Sequence, residues 1–119
     1  MIVAVSDSTR VRLVEARAHT TSQIAALVER FDEIVEAADG VATDDEHDPE
    51  GNTIAWERQQ ASALLADARA NLDDIEAALI RLGDGTYGRC TVCGQPIAEA
   101  RLDALPAART CIACASRAG

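Results

Sequence analysis

A mostly α fold is predicted for this chain: an antiparallel helical hairpin of the coiled-coil kind, followed by a small cysteine-built domain. Three observations carry that prediction. Two long stretches without proline repeat their apolar residues at helical spacing, an acidic segment separates them, and all four cysteines lie between residues 90 and 114.

The first helix is expected from Asp7 or Ser8, either of which can cap a helix, to about Ala38, with no Gly or Pro between. Val14, Thr21, Ile24, Val28, Phe31, Val35 and Ala38 follow a three-four spacing, and Arg17 interrupts the stripe. The second helix, from Ile54 to Leu82, has the cleaner pattern. Ala61, Leu65, Ala68, Leu72, Ile75, Leu79 and Leu82 are spaced 4, 3, 4, 3, 4 and 3, which is a coiled-coil seam held for three heptads. Gly83 is placed to end it. A connection of 14 residues lets the two helices fold back on each other, so residues 7–83 form the hairpin. Each helix of roughly 30 residues spans about 45 Å, and seams containing alanine let the pair approach closely. Association of two hairpins into a four-helix bundle stays open.

The connection, "DGVATDDEHDPEGN", covers residues 39–52 and carries six carboxylates: Asp39, Asp44, Asp45, Glu46, Asp48 and Glu50. Read blandly, it is a solvated turn, with Asp48 as N-cap and Pro49 at the first helical position. Read functionally, an anionic tip on a stiff rod is a probe for a metal ion, an arginine cluster or a basic loop of a partner. His19 and His47 read as exposed bystanders.

Composition narrows the function classes. A chain of 119 residues with one Phe, one Trp and one Tyr suits packed helices better than a large compact core. The net charge of −9 argues against nucleic acid as the main partner, because affinity for phosphate backbones comes from basic residues. All 11 basic residues are Arg, four of them within residues 85–119 beside two acids. Four thiolates around a divalent ion would add a charge of roughly −2 and cancel that surplus. The opening "MIVAVSDSTR" has too short an apolar run for a signal peptide, and no segment approaches a membrane span. A cytoplasmic protein is expected, and in a reducing compartment paired CxxC motifs point to metal rather than disulfides.

Cys90-x-x-Cys93 and Cys111-x-x-Cys114 are separated by 17 residues. Within each pair a tight turn lets two thiolates meet one ion, and the second pair closes a tetrahedron at about 2.3 Å per bond. Gly94 fits the tight backbone that such a turn needs. Residues 84–119 therefore read as a four-cysteine zinc-finger domain holding one zinc ion per chain. An iron site would use the same ligands, though with more aromatic packing than Tyr87 alone supplies. A redox dithiol would need thiolates that zinc leaves free. Zinc binding worth roughly 10–16 kcal/mol in model peptides can fold a segment too small for its own core.

The run "GTYGRCTVCGQPIAEARLDALPAARTCIAC" resembles the DksA/TraR family of four-cysteine zinc-finger regulators. The resemblance rests on Gly85, Tyr87-Gly88, Cys90, Cys93-Gly94, Ile97, Arg101-Leu102, Ala104, Pro106, Cys111-Ile112 and Cys114. It implies a non-enzymatic regulator that binds RNA polymerase: the zinc domain rests on the rim of the secondary channel, and the coiled coil carries its tip towards the catalytic magnesium. The family's tip motif, Asp-x-x-Asp-x-Ala, is matched at Asp45 and Asp48, with Glu50 standing where Ala is expected. Read from Asp48 instead, the second Asp becomes Gly51. Five residues follow Cys114, fewer than the long C-terminal helix of well-known members, so synergy with guanosine tetraphosphate is not carried over.

Three functions are expected in turn. The first is a polymerase regulator with zinc at Cys90, Cys93, Cys111 and Cys114, tip carboxylates at Asp45 and Asp48, and rim contacts from Arg89, Arg101 and Arg109. For those arginines, internal salt bridges or solvated surface are the competing reading. The second is a structural or interaction protein with an inert tip, monomeric or weakly homodimeric, with no polymerase role. The third is a small iron-containing electron carrier.

Overall fold

The structure, a computed structural model, describes residues 2–40 and 49–118, with side chains over 7–37 and 53–117. It contains four helices in chain order: α1 (Ile2–Gly40), α2 (Pro49–Asp84), α3 (Glu99–Ala104) and α4 (Ile112–Ala118). Among the described residues there is no strand, only one isolated antiparallel bridge between Arg89 and Pro96. α1 and α2 form the helical hairpin, and the two short helices belong to the cysteine-bearing segment. Most of the acidic connection, including Asp45 and Asp48, lies outside the described residues.

Both long helices outrun the expected bounds. α1 is already helical at Ile2, so Asp7 and Ser8 sit inside it as exposed residues instead of capping it. Nothing in "IVAV" opposes helix, and no proline or glycine separates it from Asp7. Where the chain leaves the hairpin, α2 passes through Gly83 and stops at Asp84. The chain turns at Gly85, whose φ of +86° only glycine adopts without steric penalty. The Thr86 N–H then bonds the Arg81 carbonyl at 2.9 Å, closing a Schellman-type end. The Asp84 carboxylate accepts from the Thr86 N–H at 3.1 Å and from its hydroxyl. Gly85, not Gly83, is the stop signal.

Two compact units divide the chain: residues 1–19 with 71–119, and residues 20–70. In the second, Ile34, Ala61 and Ala68 are buried, while Ile24, Val28, Phe31, Val35 and Leu65 are half-buried. Alanines one heptad apart keep this seam narrow, so its stability comes from a few aliphatic side chains. Each fully buried one contributes roughly 1.5–3 kcal/mol.

The first unit has a denser interior. Leu13 of α1 meets Ile75 and Ala78 of α2, with Ala16, Leu79, Leu82, Tyr87 and Ala107 packed around them. All seven seam positions read from the sequence of α2 are buried or half-buried. Early in α1 the stripe is displaced by one residue. Leu13 and Thr20 are buried, whereas Val14 and Thr21 are exposed. The real stripe runs through Thr9, Leu13, Ala16 and Thr20, so Arg17 never interrupted it.

Candidate metal centre

The cysteine-bearing segment starts from the Gly85 turn. Cys90 and Cys93 sit on a tight loop in which the Gly94 N–H bonds the Cys90 carbonyl at 3.0 Å and the Cys90 N–H bonds the Gln95 carbonyl at 2.8 Å. Gly94 has a φ of +75°, which lets the chain reverse directly after Cys93. The second pair opens α4: Cys111 precedes it, and the Ala115 N–H bonds the Cys111 carbonyl at 2.9 Å. One backbone bond ties the two loops together, from the Thr91 N–H to the Arg109 carbonyl at 2.8 Å. Ile97 and Leu102 pack with Cys90, Cys111 and Cys114 into a small apolar cluster.

This arrangement brings all four sulfurs within 4.8 Å of one another. None is in a disulfide. A tetrahedron with bonds of about 2.3 Å has edges of about 3.8 Å, and the Cys93 and Cys111 sulfurs are 3.8 Å apart. The donor set thus fits zinc by size and by chemistry. Cys90 and Cys114 are buried, Cys111 is half-buried and Cys93 faces solvent. Four such ligands saturate the ion and leave no open position on it.

Proton affinities in the cluster are uneven. The Cys93 backbone N–H aimed at its sulfur draws the Cys90 thiol down to about 6. Cys111 is also lowered, chiefly by the Cys114 backbone N–H. Burial, with hydrogen bonds from its neighbours, pushes Cys114 up to about 12. All four sulfurs bind a metal as thiolates, so loading the site releases protons and is weakened by acid.

Side chains from α1 and α2 fasten this segment within the first unit. Arg12 reaches the backbone carbonyl of Asp103. The Tyr87 hydroxyl donates to the Pro106 carbonyl at 2.8 Å, and burial raises its pKa. Arg109 pairs with Asp74 at 2.8 Å. Arg101 donates to the Thr110 carbonyl at 2.9 Å, and Arg89 approaches the Gly94 carbonyl at 3.4 Å. The three arginines singled out from the sequence thus each have an internal partner. Arg101 and Arg109 also flank a groove of about 460 Å³ floored by Leu13, Ile75 and Pro106. Sequence reasoning missed Arg12 and Asp74, whose partners lie 91 and 35 residues away, so no local pattern marks them.

A helical hairpin joined to a four-cysteine zinc finger, with one zinc ion per chain, is the class that this fold and site define. Residues 85–118 match the family described as the prokaryotic dksA/traR C4-type zinc finger. The fold is similar to transcription factor DksA2 from Pseudomonas aeruginosa, with a TM-score of 0.76 and 27% identity over 96% of this chain and 82% of that one. Residues 85–118 thus carry the zinc finger of that family, and the fold over nearly the whole chain is similar to that of one transcription factor. Among curated relatives, it is 42% identical to the uncharacterized protein YteA of Bacillus subtilis over 66 residues, 56% of this chain and 28% of YteA. It is 35% identical to general stress protein 16O of the same organism over 78 residues, 66% of this chain and 46% of that protein. The chain thus spans less than half the length of these curated relatives. No helix among the described residues is long and apolar enough to cross a membrane.

Proposed function

We propose that the chain is a cytoplasmic, non-enzymatic transcription regulator that binds RNA polymerase at its secondary channel. Residues 7–83 act as the inserted hairpin, with Asp45 and Asp48 at a tip directed to the active site. Residues 84–119 act as the docking domain, where Cys90, Cys93, Cys111 and Cys114 hold the zinc ion. Arg89, Arg101 and Arg109 face the channel rim, and the protein works as a monomer or a weak homodimer.

The observation that carries this reading is the fold match to a transcription factor over 96% of the chain, hairpin included. A shared zinc finger alone would support metal binding and nothing more. A saturated four-thiolate ion suits a structural role, which leaves the hairpin to do the work. The net charge of −9 suits a protein channel better than a phosphate backbone.

The test is co-precipitation with RNA polymerase, repeated with residues 39–52 replaced by a short neutral linker and with Asp45→Asn/Asp48→Asn. Binding by the parent chain, with altered promoter-complex lifetimes that the Asn pair abolishes, is expected. A chain that leaves polymerase untouched overturns the proposal. Unchanged effects in the Asn variant favour an inert tip and a purely structural role.

A further inference from the structure

The charge of this chain is not spread along it. Residues 20–70 contain twelve carboxylates and three arginines, a net −9, whereas the remaining residues contain eight of each. The whole net charge therefore falls in one of the two compact units. Within that unit lies the only tryptophan of the sequence, Trp56, on α2. It is 61% exposed, and Leu64, eight residues on and on the same side of the helix, is 48% exposed.

Between them Glu57 and Arg58 are the only charged residues, and Glu57 is half-buried. Residues 59–66 read "QQASALLA", and Gln60 and Ala63 share the exposed face with Trp56 and Leu64. Arg58 and Asp67 bound the strip. Glu29, Asp32, Glu33 and Glu36, all exposed, lie on the α1 portion of the same unit. An exposed aromatic and an exposed aliphatic side chain on an acidic unit match the composition of a protein interface, whose apolar centre has a polar rim. Scattered single apolar residues on a surface are ordinary. A tryptophan and a leucine joined by small neutral residues form a patch, and tryptophan is among the commonest anchors of binding energy.

We infer that the Trp56–Leu64 face of α2 is a docking surface for a basic protein surface, with Trp56 packed against a partner arginine or lysine. Charge complementarity selects that occupant. A net −9 over 51 residues repels an acidic or neutral-acidic partner, including a second copy of the same unit, and attracts a cationic one. The face of an indole ring also attracts a guanidinium or ammonium group directly. This inference rests on the polymerase reading for the partner's identity and adds the contact: the side of the hairpin binds, independently of the tip carboxylates.

Because the tryptophan is unique, its fluorescence reports the contact without a label. The zinc-loaded full chain is titrated with RNA polymerase that carries a quenched or subtracted background, at low and at high salt. Affinities are measured in parallel for Trp56→Ala and Leu64→Ala, with circular dichroism to verify unchanged helix content. Both substitutions are on the surface and leave the seam intact. The expected result is a blue shift or quenching of Trp56 on binding. Trp56→Ala should weaken binding at least tenfold and Leu64→Ala severalfold, and Trp56→Phe should recover part of the loss. Binding should weaken steeply with salt. Binding with an unmoved tryptophan signal, or equal affinity for Trp56→Ala, overturns the inference and leaves the polymerase reading standing. No binding by the parent chain overturns both.

Discussion

The unit built from residues 1–19 and 71–119 balances eight acids with eight arginines and gathers its side chains around a metal site. The unit of residues 20–70 concentrates the charge of −9, with six of its twelve carboxylates in the acidic connection, and its helical parts pack along a narrow seam. In the first, Arg12, Tyr87 and Arg109 reach far along the sequence to hold loops that have little core of their own. In the second, repeating aliphatic positions suffice, because a helix satisfies its own backbone. Where secondary structure is short, an ion and long-range hydrogen bonds replace the hydrophobic core. Where it is long, periodicity alone holds the fold and the surface is left for charge.

The sharpest way to break that contrast is Cys114→Ser. With a buried ligand lost, zinc content measured by atomic emission should fall from one per chain to under about a tenth, since structural sites need all four donors. Helical signal from residues 20–70 should persist. Acid should act on the same unit. The depressed Cys90 thiol contributes stability above its ordinary value of 9.0, and that contribution is lost as pH falls through about 6. Burial pushes Cys114 up to about 12, so zinc must displace its proton to solvent at neutral pH. Zinc retention against a chromophoric chelator should drop as pH falls, because protons compete with the ion for all four sulfurs.

Smaller effects sharpen the comparison further. Leu13→Ala empties the centre of the first unit's apolar cluster and should cost about 3 kcal/mol in denaturant unfolding. Tyr87→Phe removes one half-buried hydrogen bond to Pro106 and should cost about 1 kcal/mol. Asp74→Asn breaks an ion pair whose two side chains are 48% and 45% exposed. Its effect should stay at or below about 0.5 kcal/mol, screened further by salt.

The sequence made the contrast legible unevenly. The seam of α2 could be read residue by residue, because alternating Ala and Leu leave one register free of conflict. In α1 the apolar spacing pointed to Val14 and Thr21 in place of Leu13 and Thr20. Hydropathy favours valine over threonine, yet the position of Leu13 against Ile75 and Ala78 fixes the helix rotation, and Thr20 lies on that face. The cysteines declared themselves by spacing, since the chemistry requires it. Their supports did not: Arg12 and Asp103 are 91 residues apart, and no local pattern announces such a pair. Helix ends were misread for a simpler reason. Capping residues permit a boundary without imposing one, so α1 starts before Asp7 and α2 runs past Gly83.

The most direct test is hydrogen exchange of the full chain before and after zinc is removed by a chelator. The account predicts that amides of residues 85–118 lose their protection, with partial loss around Leu13 and Ile75 where Tyr87 and Ala107 pack. Amides of residues 20–70 should keep theirs. Equal loss of protection along the whole chain, or full retention in residues 85–118 without metal, would contradict it.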